Sequence, residues 1–311
     1  MARIDIHTAG VFVITCTPFS DDLSIDRSSI DKMVDFIFEK GADGLTILGM
    51  MGEAPKLTLA ESVEVARSTL ARASGKPVIV GVSAPGLAAI RELSHAVMDL
   101  GAAGVMVAPP SSLRSDDQIV EYYRQVVAQI GAEIPVAVQD FPLSTGVLIT
   151  PRTLGRIFSE LPSVVMLKHE DWPGLQKITD VREAEARGQR RTSILCGNAG
   201  TFLVEEMQRG ADGAMTGFAY PEMMVDVCRL VRSGDTERAH DVFDAYLPLI
   251  RFEQQPGLGL AIRKYVLARR GVIASARQRL PGSALNPLAI AEVERLISRQ
   301  ERKLRLVAPS R

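Results

Sequence analysis

The sequence predicts an α/β fold, a (β/α)8 TIM barrel with additional C-terminal helices. Short runs of apolar, mainly β-branched residues alternate with helical patterns, and eight such runs can be counted. Runs that are apolar throughout suit strands buried on both faces, as in a parallel sheet. Eight of them suit a closed barrel better than an open doubly wound sheet, although the open sheet stays an alternative.

The elements follow one another in a regular strand and helix order. The predicted strands cover residues 11–16, 45–48, 78–80, 105–107, 136–138, 163–168, 193–196 and 214–216. Helical periodicity covers residues 26–38, 58–73, 87–100, 116–130, 150–160, 173–188 and 199–209.

A repeated turn supports the same architecture. Gly-Ala-x-Gly occurs at 41–44, 101–104 and 210–213, each time between a helix and a strand. Its first glycine suits the left-handed residue that ends a helix. No strand is followed by the G-x-G-x-x-G turn of a dinucleotide-binding sheet, since Gly257-Leu258-Gly259 lies in a helical region.

We assign residues 1–220 to the barrel and 221–311 to the last barrel helix and a C-terminal helical extension of the same unit. Residues 221–270 and 287–306 are predicted to be helical, with breaks at Pro221, Gly234, Pro256 and Pro281-Gly282. An apolar periodicity in this part predicts assembly into a dimer or tetramer; its members are Val225, Val227, Leu230, Val242, Phe243, Leu247 and Ile250.

Composition points to a globular enzyme acting on a small molecule. Of the 311 residues, 46% are hydrophobic and 23% charged, and the net charge is −1, which indicates neither a nucleic acid nor a membrane as partner. The three cysteines are too few and too scattered for a disulfide framework, so we expect a reducing compartment. The N-terminus lacks the apolar core of a signal peptide, and we predict a cytoplasmic protein.

Lys168 is the first candidate for chemistry, because it ends the buried run Ser163-Val164-Val165-Met166-Leu167. In a barrel, the carboxyl end of a strand opens onto the active site. Burial disfavours the charged form of an amine, and the neutral amine is the nucleophile for imine formation with a carbonyl substrate. The alternative is that Lys168 only reaches solvent or pairs with Glu170 or Asp171, and the strand by itself leaves both interpretations open.

The loops after the other strands supply further candidates. Gly49-Met50-Met51-Gly52-Glu53 has backbone N–H groups that can hold a carboxylate, unless it is an ordinary turn with two core methionines. The remaining candidates for substrate binding are Ser144, Gly197, Asn198, Met215 and Gly217. The four histidines lack ligand spacing, so we predict no metal, and no cofactor motif is found. His169 should point away from Lys168, because successive residues of a strand point to opposite faces.

These segments resemble the dihydrodipicolinate synthase / N-acetylneuraminate lyase family of class I Schiff-base lyases. The similarity runs from Gly10-Val11 and Thr17-Pro18-Phe19 through Gly49-x-x-Gly52-Glu53 and Pro142 to Lys168. The resemblance implies a (β/α)8 barrel with C-terminal helices, often a tetramer. It also implies that Lys168 forms an imine with pyruvate or another 2-oxo acid.

The sequence departs from this family at two places that bear on the substrate. Members usually carry two hydroxyl residues where this chain has Met50-Met51, and a Tyr-Asn-x-Pro motif where it has Gln139-Asp140-Phe141-Pro142. A glutamine amide does not titrate as the family's proton-relaying tyrosine does. The stretch at 143–146 also lacks the arginine that holds the aldehyde substrate's carboxylate in the synthase branch.

We therefore expect a lyase that dehydrates or cleaves a small 2-oxo acid. The Gln139 motif and Gly271-Val272-Ile273-Ala274-Ser275 resemble the 2-keto-3-deoxy-sugar-acid dehydratases in part. Lys168 would form the imine, residues 49–51 would hold the carboxylate, and Gln139 and Asp140 would orient the substrate or a water. The alternatives are a dihydrodipicolinate synthase with an unusual site and an inactive 2-oxo acid binding protein.

Overall fold

A computed structural model describes residues 3–172 and 174–307 and confirms the predicted barrel. Eight parallel strands, each hydrogen-bonded to the next, close into a barrel through pairing of the first with the last. The strands are β1 (Gly10–Ile14), β2 (Gly44–Ile47), β3 (Val78–Gly81), β4 (Gly104–Val107), β5 (Val136–Asp140), β6 (Val164–His169), β7 (Ser193–Cys196) and β8 (Gly213–Ala214).

Helices surround the barrel and continue beyond it. They are α1 (Arg27–Glu39), α2 (Leu59–Ala73), α3 (Leu87–Asp99), α4 (Asp116–Ile130), α5 (Pro142–Thr145), α6 (Pro151–Glu160), α7 (Leu175–Ala186), α8 (Leu203–Gln208), α9 (Pro221–Arg232), α10 (Thr236–Glu253), α11 (Gly259–Arg269) and α12 (Pro287–Val307). Within the described ranges, no helix is both long and apolar enough to span a membrane.

The strands are buried on both faces, as their continuous apolar sequences predict. One face packs against the helices, and the other fills the barrel with a compact cluster that includes Phe12, Ile79, Met106, Met166 and Met215. The interior is therefore solid below the carboxyl ends of the strands. Among the described residues, a ligand inside the barrel would have to lie above this cluster.

The repeated Gly-Ala-x-Gly turns end helices as predicted. Gly41, Gly101 and Gly210 have φ of 89°, 97° and 96°, a left-handed conformation that glycine adopts without a Cβ penalty. Pro221, which we expected to be a break, begins α9 instead. Proline is favoured at the first position of a helix because its missing N–H has no partner there.

The C-terminal helices use most of their apolar residues within the chain. The helix α9 packs against β1 and β8, and α10 packs against α9 and α12. Val227, Leu230, Phe243 and Ile250 are at most 4% exposed. The apolar periodicity that predicted assembly is thus largely explained by packing within one chain.

Candidate active site

A cavity of about 470 Å³ opens at the carboxyl ends of the strands. Its walls come from the residues that follow β2, β5, β6, β7 and β8, and one side is formed by the segment that joins α10 to α11. Of the predicted site residues, Lys168, Gln139, Met50, Met51, Ser144, Asn198 and Gly217 line it. A cavity of this size suits a small organic ligand.

Lys168 lies at the floor of the cavity in contact with a carboxylate. Its Nζ is 2.8 Å from Glu170 Oε2, and the same oxygen accepts a hydrogen bond of 2.7 Å from Gln139 Nε2. The residues Lys168, Glu170 and Gln139 are all buried, with exposed fractions of 3%, 6% and 3%. Gln139 and Lys168 are paired in register on β5 and β6, which brings them together.

The neighbouring loop fixes the position of Glu170. Asn198 Nδ2 donates to the backbone oxygen of Glu170 over 2.9 Å. The backbone N–H of Glu170 donates to the backbone oxygen of Asp140 over 2.9 Å. A Cβ on Gly197 would lie only 2.1 Å from Glu170 Cγ, so a side chain at position 197 would displace this carboxylate. Gly197 therefore acts on the site by leaving space rather than by lining the cavity.

Asp140 does not face the cavity, contrary to our expectation that it orients the substrate or a water. Its carboxylate lies on the opposite side of β5 and contacts Lys177 Nζ of α7 at 2.7 Å. Lys177 also contacts Asp171 at 2.6 Å. Burial raises the pKa of Asp140 to about 6, although Lys177 acts in the opposite direction. Lys177 thus connects the ends of β5 and β6.

His169 shares this outer face, as the alternation of a strand predicts. It is 1% exposed, and burial lowers its pKa to about 4. The imidazole is therefore neutral at physiological pH, and it lies away from the cavity. In the part of the chain that the structure describes, no group of three or more His, Cys, Asp or Glu is arranged to hold a metal ion.

The loop after β2 forms a short 3-10 helix, Met50–Gly52. The first backbone hydrogen bond of this helix is donated by Gly52 N–H to the Gly49 backbone oxygen. The N–H groups of Met50 and Met51 come before it in the chain and so take no part in the hydrogen bonds of the helix. Ser144 Oγ lies 3.2 Å from Met50 Sδ, which joins this loop to α5. The two amides are suited to bind a carboxylate.

Glu53 does not line the cavity, and its buried carboxylate instead holds this loop in place. It is 1% exposed, and its carboxylate contacts Lys264 Nζ of α11 at 2.6 Å and Lys56 Nζ at 2.9 Å. It also accepts from the Arg279 backbone N–H over 3.0 Å. Glu53 therefore attaches the loop to the C-terminal extension.

Two of the loops contain left-handed residues other than glycine. Leu48 and Glu53 flank the loop after β2 with φ of 55° each, and Asn198 and Ala199 follow β7 with φ of 50° and 53°. Such conformations cost energy and persist where the surroundings determine them, often at functional sites. The remaining predicted residues contribute differently: Gly49 and Gly52 through the backbone, and Met215 within the barrel core.

The sequence did not identify several residues of the cavity. Glu170 was considered only as an ion-pair partner of Lys168, although residues two apart on a strand share a face. Thr216 Oγ1, which accepts from Ala199 N–H over 2.7 Å, was also missed. Glu253 and Arg263 line the cavity from helices far along the chain, and no local sequence signal could place them there.

Comparison with known proteins agrees with this architecture. A family model described as the dihydrodipicolinate synthetase family matches residues 7–300. The chain belongs to this family. Members of the dihydrodipicolinate synthetase family are lyases or dehydratases. The chain is accordingly a lyase of this family.

Relatives within the family carry three kinds of name. The chain is 32% identical over 289 residues to the L-2-keto-3-deoxyarabonate dehydratase of Azospirillum brasilense, covering 91% of this chain and 92% of that protein. It is 26% identical over 235 residues to a probable 2-dehydro-3-deoxy-D-pentonate aldolase of Escherichia coli, covering 74% and 77%. A crystal structure from Rhodopseudomonas palustris, described as dihydrodipicolinate synthase, is 52% identical with a TM-score of 0.95, covering 96% and 100%.

Proposed function

We propose that this family member is a class I Schiff-base lyase that dehydrates or cleaves a linear 2-keto-3-deoxy sugar acid through an imine on Lys168. The observation that carries the proposal is the contact of one carboxylate oxygen of Glu170 with both Lys168 and Gln139. This contact places a proton acceptor beside the amine that would form the imine. The similarity to a sugar-acid dehydratase over most of the chain supports the same substrate class.

In the proposed reaction, the Met50 and Met51 amides hold the substrate carboxylate. The Lys168 amine attacks the adjacent C2 carbonyl, and loss of water gives the imine. In a dehydration, removal of a C3 proton gives an enamine, which expels the C4 hydroxyl as water once that hydroxyl is protonated. In a cleavage, the imine instead loses the proton of the C4 hydroxyl, and the C3–C4 bond breaks. This step releases an aldehyde and leaves an enamine that is protonated at C3. Hydrolysis of the imine consumes one water and regenerates the amine.

Glu170 is our candidate for the proton transfers. A general base must lie within hydrogen-bond reach of the groups it serves, and Glu170 lies 2.8 Å from the amine on which the imine would form. Gln139 donates to the same carboxylate and would keep it in one orientation. This pair would perform the role of the tyrosine that usually relays protons in the family.

A dihydrodipicolinate synthase is the second candidate, because a protein of that name shares 52% identity with this chain. The synthase reaction must hold a second carboxylate and transfer protons after imine formation. Ser144 and Gln139 stand where the family resemblance places an arginine and a tyrosine. Loss of a charge-assisted hydrogen bond to a carboxylate costs about 1.5–3 kcal/mol, which corresponds to roughly ten- to a hundredfold in rate.

A non-catalytic 2-oxo acid binding protein is the third candidate. A buried lysine paired with a buried carboxylate costs desolvation energy, and a binding protein has no need of an amine at this position. We therefore place this candidate last. Assembly into a dimer or tetramer stays a prediction, and light scattering that shows only a 33.7 kDa species at micromolar concentration would contradict it.

A steady-state comparison of substrates tests the proposal. We would measure kcat/KM for 2-keto-3-deoxy-arabonate and related acids, and for pyruvate with aspartate semialdehyde. We expect turnover of at least one sugar acid in the ordinary enzymatic range of about 10⁴ M⁻¹s⁻¹ or above, and a much weaker synthase reaction. Efficient synthase activity with no turnover of any sugar acid would refute the proposal and favour the second candidate.

A further inference from the structure

A buried ion pair between α10 and α11 forms part of the cavity wall. Glu253 is the last residue of α10, and Arg263 lies on α11, and both line the cavity. They are 2% and 5% exposed, respectively. Arg263 uses Nε and Nη2 to contact a single oxygen, Oε1, of Glu253.

This geometry leaves one atom of each partner without a hydrogen bond. Among the described residues, Arg263 Nη1 and Glu253 Oε2 are buried and have no partner. Buried donors and acceptors are nearly always paired, because an unmade hydrogen bond costs the desolvation of the group. The pair therefore has one donor and one acceptor that no described residue satisfies.

A glycine makes room for the guanidinium at this position. A Cβ on Gly217, which also lines the cavity, would lie 2.3 Å from Arg263 Nη1 and 2.7 Å from the Ile14 oxygen. The free donor thus lies directly against the barrel mouth at the β1 and β8 edge. Any side chain at position 217 would displace the guanidinium.

We propose that Arg263 and Glu253 form a subsite for the hydroxyl groups of the substrate beyond C3. This inference rests on the proposed function and specifies its substrate class. A hydroxyl group both donates and accepts, so it matches a free guanidinium N–H next to a free carboxylate oxygen. A second substrate carboxylate would gain from Arg263 but would be repelled by Glu253. The subsite therefore favours polyhydroxylated 2-oxo acids over acids with a second anionic group.

Binding measurements in the full-length Lys168→Met protein test this subsite without turnover. Titration calorimetry would give dissociation constants for 2-keto-3-deoxy-arabonate and for 2-oxopentanoate, which has the same chain length and no hydroxyl groups. The preference for the hydroxylated acid is the ratio of the two constants. We would measure this ratio again after adding Glu253→Gln or Arg263→Lys.

We expect either substitution to reduce the preference about ten- to a hundredfold, the effect of one hydrogen bond to a charged group. Glu253→Gln replaces the free acceptor with a second donor, and Arg263→Lys removes Nη1. Arg270→Lys is the matched control, because Arg270 pairs with Glu222 at the end of α11 outside the cavity. It should leave the preference unchanged.

An unchanged ratio in both variants would overturn the inference. This holds whether the two dissociation constants increase by the same factor or do not change. Circular dichroism establishes that each variant is folded, and Glu253→Gln provides the milder change if Arg263→Lys does not fold. Because these measurements need no imine, they are independent of the proposed reaction. Absence of sugar-acid turnover by the unmodified protein would refute the proposed function and leave the binding preference as a separate result.

Discussion

Lys168 Nζ and Glu170 Oε2 lie 2.8 Å apart in a setting where neither side chain is more than 8% exposed. Removing one member of such a pair leaves the other as an uncompensated buried charge, which destabilises a protein strongly. Substitutions here must therefore be compared with variants that keep the volume or the hydrogen bonds.

Lys168 should be the residue that reacts with 2-oxo acids. Incubation with pyruvate and borohydride should add a stable mass to the peptide that contains Lys168, because reduction converts an imine to an amine that cannot hydrolyse. Lys168→Met should abolish the label, whereas Lys76→Met, a change at an exposed lysine, should retain it. Label that persists in Lys168→Met would assign the chemistry to another group.

Glu170→Gln should separate imine formation from proton transfer. The amide keeps the shape of the carboxylate but cannot accept a proton, so we expect kcat for sugar-acid turnover to fall about 10²- to 10⁴-fold. Pyruvate labelling at Lys168 should still be detectable after long incubation. Glu160→Gln, on the surface of α6, is the control and should stay within twofold. A decrease of less than tenfold in Glu170→Gln would exclude Glu170 as the proton carrier.

Lys177 should position the site although it does not line the cavity. It contacts both Asp140 and Asp171, each of which directly follows a residue of the candidate catalytic group. Lys177→Met should reduce the free energy of unfolding by about 3–5 kcal/mol and lower kcat more than it raises KM. Arg156→Met removes an exposed pair with Asp117 and should cost at most about 1 kcal/mol. Unchanged kcat in a folded Lys177→Met protein would contradict the positioning role.

Glu206 should make stability decrease as pH rises. Burial raises its pKa from the ordinary 4.5 to about 8, so between these values the folded state binds more protons than the unfolded state. Stability from the protonated group is complete below pH 4.5 and is lost as pH rises towards 8. Each pKa unit by which the folded and unfolded states differ corresponds to about 1.4 kcal/mol in the free energy of unfolding. Denaturant unfolding from pH 5 to 8 should show a shallower decline in Glu206→Gln, and parallel profiles would contradict the prediction.

Local sequence was sufficient for most of the fold. Buried strands such as Gly10–Ile14 are apolar because helices cover one face and the barrel interior the other, so their pattern is visible without any tertiary information. The short helix Pro142–Thr145 was not predicted, since four residues carry no helical periodicity. Pro221 was interpreted as a break because proline suits both a turn and the first position of a helix.

The site was predictable only where it follows from the alternation of strand residues. Gln139 and Lys168 face the cavity, so Asp140 and His169 must face the helices, and a stricter use of this rule would have excluded Asp140 and included Glu170. Arg263 and Glu253 could not have been found in this way. They meet the cavity through the packing of helices at the end of the chain, a relationship that no local pattern encodes.

The attachment of Glu53 to Lys264 has a consequence for the order in which the protein is completed during synthesis. All eight strands and Lys168 precede Lys264 and Arg279 in the chain and are therefore synthesised before them. The loop with the Met50 and Met51 amides therefore acquires its final support only near the end of translation. A chain that ends before Lys264 therefore lacks the buried ion pair that attaches this loop to the C-terminal extension, even if all eight strands are present.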